Sequence, residues 1–211
     1  MFDLDGVLID SESAWASVRE QLTRESGGRW HRGAQEEMMG MSSSEWSRHM
    51  QEELGVPMEP AEISAAVVEG LEAYYRRRVP LLPHAVETVR ALAERWPLAV
   101  ASSANRPLID LVLELTRTAG LFRATVSSEE VPRGKPEPDV YIEAARRLDV
   151  VPEGCAAVED STNGIRSARS AGMRVIAVPR PDFPPSAEAL RLADAVLDSL
   201  SELEPTLGKF S

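Results

Sequence analysis

The second half of the sequence alternates between short apolar runs and stretches with helical spacing, and this alternation constrains the fold most strongly. The runs that we assign to strands are residues 98–101, 124–127, 155–158, 174–178 and 195–197. Between them, apolar residues recur three and four positions apart, as on one face of a helix. Continuous apolar strands separated by helices are typical of a parallel sheet that helices cover on both faces. We therefore predict an α/β core with a Rossmann-like, doubly wound parallel sheet.

Residues 12–79 carry no strand signal and are expected to be helical throughout. In the longest predicted helix, Ile63, Val67, Leu71 and Tyr74 form one apolar stripe. The composition changes at Val79-Pro-Leu-Leu-Pro83, where two prolines in five residues make a stiff connector. We therefore predict an α/β core domain of residues 1–11 and 80–211, with an inserted all-helical domain of residues 12–79.

Two carboxylates, Asp3 and Asp5, stand at the start of the chain with Gly6 directly after them. Glycine accepts backbone dihedrals that other residues avoid, so the chain can turn sharply there. One acid of such a pair can attack or bind a metal, while the other gives and takes a proton. The same pattern also occurs in solvated turns, so the pair alone does not establish a site.

The segment before these acids is short for a strand, because only Met1 and Phe2 precede Asp3. Strands usually have about five to six residues. We expect either that further apolar residues precede this sequence or that the neighbouring strands close around a stunted one.

Three later predicted strands also lead into reactive polar residues. These residues are Ser102, Ser103, Lys135, Glu159 and Asp160. Each of them could instead have an ordinary structural role, in a turn, at a helix terminus or on the surface. However, the carboxyl ends of parallel strands share one edge of the sheet, so we expect these side chains to meet. Converging carboxylates repel unless a cation such as Mg²⁺ joins them, and a hydroxyl with an ammonium suits a phosphate.

The composition restricts the classes of partner that the protein is expected to bind. The net charge is −11, from 23 basic and 34 acidic residues, which disfavours nucleic acid and anionic membrane surfaces. No apolar run is long enough to span a bilayer, and no signal-peptide pattern is present. Cys155 is the only cysteine, so no internal disulfide forms, and its apolar surroundings predict a buried, inert thiol. We expect a cytoplasmic monomer without nucleic-acid or membrane partners.

Four segments resemble, in order, the four motifs of the haloacid dehalogenase-like (HAD) superfamily. They are Asp3-Leu-Asp-Gly6, Ala101-Ser-Ser103, Gly134-Lys-Pro136 and Val158-Glu-Asp-Ser-Thr-Asn-Gly164. The helical insertion is similar to the cap domain of that superfamily. The resemblance implies hydrolysis of a small phosphorylated metabolite, such as a sugar phosphate, through an aspartyl phosphate.

The resemblance also implies a role for each matching residue. Asp3 would be the nucleophile, and Asp5 would protonate the leaving oxygen and then activate water. Ser102, with Ser103, and Lys135 would hold the phosphoryl oxygens.

A magnesium ion is implied as well. Its ligands would be the Asp3 carboxylate, the backbone carbonyl of Asp5, Asp160 and, directly or through water, Glu159. Mg²⁺ and a cationic side chain would offset the charge of the transferred group.

Two features separate branches of the superfamily. Dehalogenases lack an acid at the position of Asp5, so its presence favours phosphate chemistry over carbon–halogen cleavage. The segment Gly6-Val-Leu-Ile-Asp-Ser-Glu12 is similar to the beta-phosphoglucomutase subfamily, whose mutases carry a cap histidine where this chain has Trp15. Two alternatives to a phosphatase stay open: a mutase of that subfamily and a catalytically silent phosphate-binding protein.

One loop of the helical insertion is a candidate for substrate selection. It contains Gly40 and Ser42, with Trp46 just beyond it. The competing interpretation is that Met and Trp at helical spacing serve packing.

Overall fold

A computed structural model describes residues 1–38 and 41–209. The chain forms two compact units, residues 1–10 with 80–211 and residues 11–79. The first boundary lies one residue before the position expected from the sequence.

The first unit contains a parallel sheet. Its strands are β1 (Leu98–Ser102), β2 (Phe122–Ser127), β3 (Ala156–Glu159), β4 (Arg174–Ala177) and β5 (Ala195–Val196). β1 pairs with β2, β3 pairs with β4, and β4 pairs with β5, all in parallel. The predicted α/β class is therefore confirmed, and each strand begins or ends within two residues of its expected position.

The segment Met1–Asp3 joins the two halves of this sheet. The Phe2 amide donates to Ala99 O at 2.8 Å, and on the other side the Asp3 amide donates to Val158 O at 3.1 Å. Phe2 thus bridges β1 and β3 in parallel, which places Asp3 at the carboxyl ends of both neighbours. A pocket of about 430 Å³ is lined by Met1 together with Leu98 and Ala156 at the starts of these two strands.

The described residues of the second unit form four α-helices. They are α1 (Glu12–Glu25), α2 (Ala34–Met38), α3 (Ser43–Glu52) and α4 (Pro60–Arg77). The predicted stripe of α4 is buried at Ile63, Val67 and Leu71, but its last member is Tyr75 rather than Tyr74. The buried residues keep a four-residue spacing to the end of the helix, whereas the prediction ended on a three-residue step. Both spacings keep neighbours on one face of a helix with 3.6 residues per turn, so the sequence pattern allowed either tyrosine.

An arginine lies at the centre of this helical unit. The Arg19 guanidinium is 4.5 Å from the Trp15 ring and 4.8 Å from the Trp46 ring. All three residues are buried, so Trp46 serves packing.

The first unit carries the remaining helices. They are α5 (Ala85–Ala93), α6 (Arg106–Leu115), α7 (Asp139–Leu148), α8 (Thr162–Ser170), α9 (Ala187–Leu190) and α10 (Leu203–Leu207). α7 packs against β1 and β2, with Val140, Ala144 and Ala145 buried. The short helices α9 and α10 were not predicted, because four or five residues are too few to show a helical period.

Cys155 departs from its expected burial. It lies one residue before β3, is only half-buried, and lines the same pocket as Met1. The apolar run thus begins before the strand does.

None of the helices in the described parts of the chain combines the length and the apolar character that crossing a membrane requires.

Candidate active site

Lys135 lies at the centre of the polar cluster at the carboxyl edge of the sheet. Its ammonium is 3.1 Å from Asp3 Oδ1 and 2.6 Å from Glu159 Oε1. The side chain is only 4% exposed. Burial alone lowers the pKa of a lysine, but the charges of Asp3 and Glu159 outweigh it and raise the pKa of Lys135. Lys135 is therefore a buried, permanently charged ammonium.

Three carboxylates converge beside it. Asp3, Glu159 and Asp160 each offer an oxygen, and these oxygens lie within 4.8 Å of one another. Burial raises the pKa of Asp3 to about 7; Lys135 opposes this shift, while Glu159 and Asp5 add to it. Burial, followed by repulsion from Glu159 and Asp3, also raises the pKa of Asp160 well above its ordinary value. One ammonium does not balance three carboxylates, so this all-oxygen donor set fits a divalent cation such as Mg²⁺.

Two glycines allow these acids to come together. Gly6 has a φ of +73°, and a Cβ there would collide with the Asp160 carboxylate. A Cβ on Gly164, in the first turn of α8, would collide with the Glu159 carboxylate. A glycine is therefore needed at both positions, because a carboxylate lies where a side chain would be. The role of Gly164 was missed from the sequence, although its place at the start of α8 was visible.

Backbone and side-chain donors fix two of the acids further. Asp3 Oδ1 accepts a hydrogen bond from the Leu4 amide at 2.8 Å. Glu159 Oε1 accepts from the Tyr141 hydroxyl at 2.7 Å, and Glu159 Oε2 accepts from Ser161 Oγ at 3.2 Å. Tyr141 was not singled out from the sequence.

The remaining core candidates differ in exposure. Ser102 ends β1 and is fully buried, and its Oγ accepts from the Ala104 amide at 3.1 Å. Ser103 is exposed. Asp5 is half-buried and close enough for its charge to raise the Asp3 pKa. Among the described residues, however, its carboxylate is not part of the close three-carboxylate group.

The structure says less about the two candidate residues of the helical unit, Gly40 and Ser42. Gly40 lies outside the described residues. Ser42 precedes α3, and its amide and hydroxyl both donate to Glu45 Oε2, at 2.7 and 2.6 Å. This is the reciprocal capping pattern of a helix start.

Comparison with known proteins gives consistent matches. A sequence model of the haloacid dehalogenase-like hydrolase family matches residues 1–178. The chain is 33% identical to a probable pseudouridine-5'-phosphatase of Drosophila melanogaster, over 97% of this chain and 90% of that protein. It is 31% identical to hexitol phosphatase B of Escherichia coli (strain K12), over 96% and 92%. Among solved structures, CbbY from Rhodobacter sphaeroides in complex with phosphate matches with a TM-score of 0.85 and 29% identity, covering 96% of this chain and 94% of that one.

Proposed function

The chain belongs to the haloacid dehalogenase-like hydrolase family, and on this premise we propose that it is a phosphatase for small phosphorylated metabolites. The observation that carries the proposal is the contact of the buried Asp3 carboxylate with the Lys135 ammonium, beside Glu159 and Asp160. This arrangement offers a nucleophile and a cation at one point, as transfer of a phosphoryl group requires.

In the first step, an Asp3 oxygen attacks phosphorus and the bond from phosphorus to the ester oxygen breaks. The leaving oxygen takes the proton of Asp5, so an alcohol departs and an aspartyl phosphate is left on Asp3. An ammonium has three donors, and two of those of Lys135 face Asp3 and Glu159, so the third is available to donate to a phosphoryl oxygen. We propose that Ser102, which ends β1, and Ser103, directly after it, donate to the same group.

In the second step, Asp5 takes a proton from water as the water oxygen attacks phosphorus. The bond between phosphorus and Asp3 then breaks, which releases inorganic phosphate and restores both acids.

Magnesium is part of the proposal, and it would be held by the Asp3 carboxylate, Asp160, the backbone carbonyl of Asp5 and, directly or through water, Glu159. When bound, it supplies positive charge that offsets the phosphoryl oxygens and lets Asp3 stay ionised. The support lies in the buried, mutually repelling carboxylates, which need a cation to be charged together.

For the substrate, we propose a phosphorylated sugar or a similar small monoester. The names of two relatives refer to pseudouridine-5'-phosphate and to hexitol phosphate. Trp15, which replaces the histidine of the mutases, favours transfer to water over transfer to a second sugar hydroxyl. The net charge of −11 and the single cysteine support action in the cytoplasm on a free small molecule. Gly40 and Ser42 stay proposed as substrate contacts.

The test is release of phosphate from p-nitrophenyl phosphate with Mg²⁺, its loss with EDTA, and then a panel of phosphorylated sugars and small acids. Asp3→Asn should fall below about one hundredth of wild-type turnover, because an amide is a poor nucleophile and general acid–base losses alone reach about 10²–10⁴-fold. Asp149→Asn is the matched control, since Asp149 is exposed and its positive φ suits asparagine. A wild-type protein that binds phosphate but turns over no ester would instead favour the silent phosphate-binding alternative.

A further inference from the structure

The Glu159 carboxylate has three side-chain donors around it and no exposed surface. Lys135 and the Tyr141 hydroxyl share Oε1, and Ser161 donates to Oε2. Because Lys135 and Tyr141 donate to the same oxygen, a change at Tyr141 affects the oxygen that also binds Lys135.

Tyr141 contacts both members of this ion pair. Its hydroxyl is 2.7 Å from Glu159 Oε1, and the Lys135 ammonium lies 5.1 Å from the centre of its ring. A cation over an aromatic face is attracted to it, so the ring restricts the lysine while the hydroxyl restricts the glutamate.

The tyrosine is itself held firmly. It lies in the first turn of α7, is fully buried, and its neighbours Val140, Ala144 and Ala145 are buried in the same core. A side chain fixed by packing on a helix can hold a site more precisely than one on a loop. Lys135, by contrast, lies in a loop before α7 and has no regular element of its own.

The chemistry favours a donor at this point. The Tyr141 hydroxyl lies 2.7 Å from a carboxylate oxygen, which can only accept, so the hydroxyl is the donor in this contact. A second donor on Glu159 Oε1 weakens the hold of that oxygen on Lys135, because the carboxylate charge is shared between two partners. The ammonium then stays available to Asp3 and to a bound phosphate.

We infer that Tyr141 is a positioning residue that holds Glu159 and Lys135 in the arrangement needed to bind Mg²⁺ and phosphate. The expected effect on kcat rests on the proposed function, whereas the expected effect on the binding of Mg²⁺ and phosphate does not. Phenylalanine fills the same volume without the hydroxyl, so Tyr141→Phe isolates the hydrogen bond.

The experiment compares wild type, Tyr141→Phe and the control Tyr74→Phe, which removes the hydroxyl of a half-buried tyrosine in the helical unit. Calorimetric titration gives the dissociation constants of Mg²⁺ alone and of inorganic phosphate in excess Mg²⁺. Kinetics gives kcat, KM and the Mg²⁺ concentration for half-maximal activity, and thermal unfolding gives Tm. For Tyr141→Phe we expect both dissociation constants to rise and kcat to fall by about tenfold, the scale of one hydrogen bond to a charged group. Tyr74→Phe should match wild type.

Binding constants within twofold of wild type in Tyr141→Phe would overturn the inference. A lower Tm with unchanged binding and kcat would overturn it as well, since the tyrosine would then serve packing alone. If wild type binds Mg²⁺ and phosphate but hydrolyses nothing, the proposed function fails while the two binding constants still decide the role of Tyr141.

Discussion

The Lys135 ammonium lies 3.1 Å from Asp3 Oδ1, although Asp3 belongs to the first segment of the chain and Lys135 lies in the loop between β2 and α7. Both side chains are withdrawn from solvent. A contact of this kind does two things, since it orders the attacking carboxylate and supplies a cation where a phosphate has to sit.

Replacing this lysine should therefore damage both activity and stability. Lys135→Met keeps the length of the side chain but leaves buried acids without their cation, which costs about 3–5 kcal/mol when one partner of a buried pair is removed. We expect kcat/KM to fall about 10²–10³-fold, the loss seen when one preorganised donor is removed. Steady-state kinetics and urea unfolding measure the two effects. The exposed Lys209→Met serves as control, and equal behaviour of the two variants would contradict the prediction.

The carboxylate cluster predicts that stabilisation by Mg²⁺ grows with pH. Burial raises the pKa of Asp3 from 3.8 to about 7, and Asp160 shifts in the same direction. A carboxyl with a raised pKa holds its proton more tightly in the folded state. Its contribution to stability is thus full below about pH 4 and is lost as the pH rises through about 7. Bound Mg²⁺ removes this loss by favouring the ionised form.

Thermal unfolding in EDTA and in saturating Mg²⁺, at pH 5 and at pH 8, measures this effect. The gain in Tm from Mg²⁺ should be larger at pH 8, and Asp160→Asn should reduce it at both pH values. The same gain at both pH values in wild type would show that these carboxylates do not control metal binding.

Gly164 should tolerate no side chain. A Cβ at this position would collide with the Glu159 carboxylate, whose partners Lys135 and Tyr141 leave it little room to move. Overpacking of this kind typically costs about 1–3 kcal/mol. We expect Gly164→Ala to lower both the free energy of unfolding and kcat/KM.

The matched control is Gly120→Ala, because an added Cβ at Gly120 meets no atom within 4 Å. Its stability and kinetics should stay close to wild type. If Gly164→Ala were equally harmless, Glu159 would have to be more mobile than its hydrogen bonds indicate.

The sequence predicted the part of the site that depends on strand order. Apolar runs located the strands, and the rule that parallel strands end at one edge brought Asp3, Lys135, Glu159 and Asp160 to that edge. It did not reveal Tyr141, because an aromatic residue on a helical stripe looks like core, and only the packing of α7 on the sheet brings its hydroxyl to Glu159.

In the helical unit, too, the sequence pattern did not predict which residues are buried by packing between helices. Arg19 falls among polar residues of α1, so nothing in the pattern distinguished it from the exposed Arg24. Its burial depends on Trp15 and Trp46, which lie on different helices. Tyr74 and Tyr75 are adjacent in sequence, and the apolar period alone did not decide between them.

The buried Arg19 leads to a last prediction. Its guanidinium contacts the rings of both Trp15 and Trp46, which pack edge to face against each other, and it donates to Gln35 Oε1 at 3.3 Å. Arg19→Lys keeps the charge but loses the flat guanidinium, and a buried, more strongly hydrated ammonium fits this place poorly. Since a desolvated cation–π contact contributes about 2 kcal/mol, we expect Tm to fall by roughly 4–8 °C.

Arg24→Lys is the control for that change, because Arg24 lies on the same helix and forms only an exposed pair with Glu20. Such pairs contribute about 0.3–0.5 kcal/mol, so this variant should unfold within about 2 °C of wild type. Near-ultraviolet circular dichroism reports the tryptophan environment independently, and Arg19→Lys should change that spectrum while Arg24→Lys should not. If the two variants gave the same Tm and the same spectrum, the contact of Arg19 with the two rings would stabilise the protein no more than a surface ion pair does. The burial of Arg19 would then need another cause.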